Sequence, residues 1–162
     1  MVEAAFHDVE VNFSSGPNVE VEVRMEITAP SKRNVQRLID EYKPVFTAKE
    51  DLIRIRAAHD KSLNFLGPLS FSGTIKLTVP SETNLEIETA SGDIFFSGTA
   101  LSWAAHTASG DIRAEFIKPA ASVEAHSTSG DIQITGPVEK GKLHNISGKI
   151  KMHGLHGGTI SA

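Results

Sequence analysis

A chain of 162 residues is the size of one domain and is long enough to bury a real core. Its 40% hydrophobic and 22% charged residues exclude a disordered chain, and a formal charge of −4 with no basic stripe gives no electrostatic ground for a nucleic-acid partner. The lack of cysteine excludes disulfides, thiolate metal sites and cysteine nucleophiles, and no apolar run is long enough for a membrane-spanning helix, so insertion by this chain is not expected.

The start, Met1 to Phe6, lacks the basic and apolar regions of a secretion signal. Either the protein stays inside the cell or an anchor lies outside this chain, so the compartment stays open. Val9, Val11 and Phe13 alternate with Glu10 and Asn12 and predict a strand, ended by the turn residues Gly16-Pro17-Asn18. Val19, Val21, Val23, Met25 and Ile27 then alternate with polar residues in strict period two, which predicts a strand with one buried face. Val35, Leu38, Ile39 and Tyr42 fall at i, i+3, i+4 and i+7, the apolar stripe of a helix over 31–43 that packs on the sheet. Ser31 caps its start, and Pro44, which has no N–H to give, ends it. Strands resume at Leu52 to Ala57 and Thr74 to Val79. Between them Leu63, Phe65, Leu66, Leu69 and Phe71 surround Gly67-Pro68 and read as an apolar loop folded onto the sheet, with an exposed contact patch as the alternative.

After a polar turn at Val79 to Asn84, a short phrase is repeated. The corners Ser91-Gly92-Asp93, Ser109-Gly110-Asp111, Ser129-Gly130-Asp131 and Ser147-Gly148-Lys149 recur with glycine intervals of 18, 20 and 18 residues. Such a period predicts stacked repeats. Aligned on the glycines, Ile94, Ile112, Ile132 and Ile150 form one apolar column, and Phe96, Ala114, Ile134 and Met152 a second. Ile87, Ala105, Ala125 and Leu143 form a third, and Leu85, Trp103, Val123 and Gly141 a fourth; this glycine and the alanines mean that the later interior is not uniformly filled. In-register likeness of this kind fits parallel coils about 4.8 Å apart better than a hairpin meander. The Ser-Gly-Asp phrases are structural turns, since glycine tolerates φ > 0 and serine and aspartate bond to nearby backbone. The expected organisation is a strand-rich region 1–80 with its helix, packed as a cap on a repeat region 81–162, the two forming one continuous domain. Gly158 to Ala162 aligns with the opening of the fourth repeat, so a further rung begins there, and the expectation is either that the natural protein continues or that another chain covers this open edge.

Four residues before the glycines stand Glu88, His106, His126 and His144, a single outward column. Stacked imidazoles about 5 Å apart suggest a Zn²⁺ or Ni²⁺ site with Glu88, or a charge change near pH 6.5. An ordinary polar ladder is the favoured reading, because a line of ligands lacks tetrahedral convergence. No serine lies in a Gly-x-Ser-x-Gly elbow. Asp111 and Asp131, on adjacent rungs about 5 Å apart, have the separation of a retaining glycosidase pair, although regular repetition favours a scaffold. No catalytic residue, cofactor or metal is assigned.

The run Gly73 to Pro80, the run Asn84 to Thr89, the preceding Asp51 to Arg56 and the repeated Ser-Gly-Asp-Ile together resemble a bacterial adhesin-like domain family of unknown function. The similarity covers roughly residues 50 to 162, and Lys149 departs from the pattern where aspartate is expected. The resemblance implies a right-handed β-helix-like fold; joined to the repeats and the N-terminal elements, the expected fold is all-β, a right-handed parallel β-helix or β-solenoid of about four to five rungs with a β-rich cap carrying one short helix. It also implies a role at or near the bacterial envelope. The expected function is a non-catalytic binding or assembly module whose partner is a surface glycan, an envelope protein or another copy joined through the terminal rung. The alternative is a carbohydrate-active enzyme on the same scaffold, using Asp111 and Asp131.

Overall fold

A computed structural model describes residues 1–49, 52–57, 70–81 and 83–161 of the chain. It is all-β apart from one short helix. The N-terminal part comprises β1 (Val2–Ala4), β2 (His7–Ser14), β3 (Glu20–Thr28), α1 (Lys32–Tyr42), β4 (Val45–Lys49), β5 (Leu52–Ala57) and β6 (Ser70–Pro80). The repeats supply β7 (Asn84–Ser91), β8 (Ile94–Gly98), β9 (Ser102–Ser109), β10 (Ile112–Phe116), β11 (Ala120–Ser129), β12 (Ile132–Ser147), β13 (Ile150–Leu155) and β14 (Gly158–Ser161).

All these strands belong to one sheet that curls into two facing stacks. The first runs β3-β6-β2-β8-β10-β12 and the second β12-β11-β9-β7-β1-β5-β4. β12 is long enough to serve both: Ile132 to Thr135 pair with β10, and Val138 to Ser147 pair with β11. β13 and β14 extend its two halves. The repeat strands pair in parallel, so the meander alternative is set aside. Antiparallel pairing among the described strands occurs at β3–β6 and β4–β5, the far ends of the two stacks. The result is a half-barrel of mixed, mainly parallel strands, β-solenoid-like in form.

The predicted columns explain this arrangement. Ile94, Ile112, Ile132 and Ile150 are direct cross-strand partners, as are Ile87, Ala105, Ala125 and Leu143. Nearly all of these side chains are buried between the stacks, where each buried isoleucine or leucine contributes roughly 1.5–3 kcal/mol. Phe96, Trp103 and Phe116 meet in the middle with ring centres 4.9 to 5.9 Å apart. At Gly141, Leu155 of β13 reaches into the space that a Cβ there would claim.

The first eighty residues do not act only as a cap. β1 lies between β5 and β7, and β2 lies between β6 and β8. Val2, Val9 and Val11 continue the apolar columns and are buried, as is Ala4 beside Thr89, which is why the chain's start is taken into the middle of both stacks. β3 and β4 are the end strands. Helix α1 forms where expected, with Ser31 as N-cap accepting the Asn34 N–H at 3.2 Å, and buries Leu38. The predicted apolar loop at Leu63 to Leu69 lies outside the described residues, as does the side chain of Phe71.

Candidate functional site

The corners show where the polar groups of the repeats are used. Asp8 Oδ1 accepts the Asp93 N–H at 2.9 Å. Asp93 accepts from Asp111, Asp111 from Asp131, and Asp131 from Lys149, each at 2.8 Å. One carboxylate oxygen per corner thus satisfies the next corner's backbone. At the fourth corner Lys149 supplies its N–H to Asp131, and its side chain has no acceptor to offer, so the carboxylate ladder stops at Asp131.

A second ladder runs just inside. Thr107 donates to Gly92 O at 3.3 Å, Ser127 to Gly110 O at 3.2 Å and Asn145 to Gly130 O at 2.7 Å. These three and Thr89 are buried polar residues, and each needs such a partner to offset its loss of water. The glycines are fixed by close approach: a Cβ on Gly110, Gly130 or Gly148 would overlap the carbonyl oxygen of the glycine one corner below. Asp111 and Asp131 are therefore brought together as corner residues. The second oxygen of Asp111 binds Arg113 Nη2 at 2.6 Å.

On the outer surface of the second stack the histidine column is real. Glu88, His106, His126, His144 and Ser161 are successive cross-strand partners. The His106 and His126 rings are centred 6.1 Å apart and tilted by 42°, and His126 and His144 are 4.9 Å apart, edge to face. His144 Nδ1 lies 2.6 Å from Ser161 Oγ. Partial burial lowers the pKa of His126, aided by the charges of His144 and His106. In the adjoining column Lys142 Nζ donates to Glu124 at 2.6 Å, and that hydrogen bond lowers the Glu124 pKa. Among the described residues no group of three or more His, Cys, Asp or Glu side chains is placed to hold a metal ion.

The outer surface of the first stack carries a feature the repeat pattern did not reveal. An open groove of about 660 Å³ crosses four neighbouring strands. Each strand contributes a pair: Glu10 and Asn12 from β2, Phe95 and Ser97 from β8, Arg113 and Glu115 from β10, Gln133 and Thr135 from β12. The floor runs over Val11, Phe96 and Ala114, whose side chains are buried in the core. The Arg113 guanidinium lies 5.6 Å from the centre of the Phe95 ring. The only signal available in the sequence is an aromatic residue in a column otherwise polar or charged.

Residues 58–158 match the family model described as Toastrack DUF4097, and the chain belongs to that family. The family is uncharacterised, so the adhesin-like resemblance resolves to membership of a family without an assigned activity. No curated protein matches the chain.

Proposed function

We propose that this Toastrack protein is a non-catalytic binding or assembly module of the bacterial cell envelope, adhesin-like in working through surface contact. The observation that carries the reading is the fate of the corner groups. The Asp93, Asp111 and Asp131 carboxylates and the Thr107, Ser127 and Asn145 side chains are tied to backbone, and in-register outer faces are what remains for a partner. The envelope setting rests on the family resemblance. The coil is taken as right-handed, following the preference of parallel crossovers, with four to five rungs from β7 to β14.

The partner is a surface glycan or an envelope protein. A second copy adding to the β13–β14 edge, where Ile160 is 51% exposed, is the assembly form of the same reading. Co-sedimentation of the purified protein with isolated bacterial envelopes is the test, and failure to co-sediment removes the proposal. Incubation with polysaccharides is expected to release no new reducing ends. Release that disappears in Asp111→Asn and Asp131→Asn would replace the module with the carbohydrate-active enzyme.

A further inference from the structure

We infer that the groove over β2, β8, β10 and the first half of β12 binds a neutral, hydroxyl-rich chain, an oligosaccharide. The inference deepens the binding-module reading above and rests on it. Charge is the first argument. Arg113, the cation among the described lining residues, meets Asp111 at 2.6 Å, Glu10 meets Lys76 at 2.9 Å, and Glu115 adds a second carboxylate to the lining. With two carboxylates against one paired guanidinium in the lining, and only Lys151 standing beside Gln133 at the β13 edge, a polyanion meets no basic stripe along the groove.

The second argument concerns hydrogen bonds. A peptide adds to a sheet through the main chain of an edge strand. Here the groove lies on the face of a sheet whose strands are paired on both sides, so it presents side chains and no ladder positions. Asn12, Ser97, Gln133 and Thr135 each offer both donor and acceptor atoms, which suits hydroxyl groups that do the same.

The third argument is the ring. Phe95 is half-buried in the middle of the row, presenting an apolar surface among hydrogen-bonding groups. A pyranose has that mixed character, with C–H bonds on its faces and hydroxyls at its edges. Strands in such a stack repeat about every 4.8 Å, close to the length of one sugar ring, so equivalent groups recur in step with an extended glycan. Ser97, the smallest of the outer side chains, leaves the floor open beside the ring.

The test is an NMR titration of the full chain with cellohexaose, maltohexaose and chitohexaose at millimolar concentration, with heparin as the anionic control. At least one neutral sugar is expected to give saturable shifts at Asn12, Phe95, Ser97 and Gln133. Gln133→Ala should weaken that binding by about tenfold, the worth of one good polar contact. Ser97→Arg should block it, and Glu88→Ala on the opposite stack should leave it unchanged. Phe95→Ala tests the ring directly; should that variant not fold, the two exposed positions carry the test. The inference is overturned if no neutral sugar shifts these residues, if shifts map to the histidine column, or if heparin binds the groove more tightly. Envelope co-sedimentation that persists while every sugar fails would overturn the groove and leave the module reading standing.

Discussion

His7 holds the place that glycine takes in every later corner. Ala4 pairs with Thr89 and Val9 with Ile94, so Phe6-His7-Asp8 lies in line with Ser91-Gly92-Asp93. A side chain is tolerated there because the strand beyond supplies Gly73, where any Cβ would overlap the imidazole. The ring is fully buried and stacks on Phe6 at 4.5 Å. Burial lowers its pKa to about 4, opposed by the neighbouring charge of Asp8. The folded protein therefore holds His7 neutral, whereas the unfolded chain protonates near the ordinary value of about 6.5. Between these limits acid favours the unfolded state. The stability is complete above about pH 6.5 and is lost as pH falls toward 4, by on the order of 3 kcal/mol at most. Urea unfolding at pH 7.5 and 4.5 reads this, and His7→Gln should show a smaller loss over the same interval. An equal loss in that variant would place the acid sensitivity elsewhere.

At the level of the element, the corner behaves as a unit whose parts were unequally visible. The later corners were legible because parallel in-register stacking turns a three-dimensional column into a repeated phrase. The first corner was not, because Phe6 and His7 replace serine and glycine and only Asp8 keeps its identity. Its function in the ladder depends on one oxygen, which predicts a graded response at the next position. Asp93→Ala leaves the partly buried Asp111 N–H without its acceptor and should cost about 1–2 kcal/mol in chemical denaturation. Asp93→Asn keeps the Oδ1 acceptor and should cost less than half of that. Equal costs would mean that charge, not the accepted hydrogen bond, holds the corner. β4 was missed for another reason: every residue from Val45 to Lys49 is exposed, so burial imposes no alternation on it. The groove was hidden because outer columns vary freely, and only the stacking sets Phe95 between Glu10 and Arg113.

The whole molecule departs from a simple repeat array in one respect, and it governs how the fold fails. A solenoid repeat contacts only its neighbours, so a terminal repeat can be removed while the rest stands. Here the sequence terminus is not a structural terminus. Val2 pairs with both Ile55 and Ile87, and Val9 pairs with both Ile75 and Ile94. Deleting residues 1–14 would open a gap in the middle of each stack, strip buried valines from the core and expose unpaired edges on β5, β6, β7 and β8. Deleting 158–161 would remove only β14, whose residues are all exposed. Thermal unfolding followed by circular dichroism should therefore lose its cooperative transition in the first variant, with aggregation, and keep it in the second. Adding a synthetic peptide of residues 1–14 should restore the transition, since the gap it fills has ladder partners on both sides. A 1–14 deletion that melts within about 5 °C of the full chain would show that β5 and β6 close directly onto β7 and β8, and that the inserted strands stabilise nothing beyond themselves.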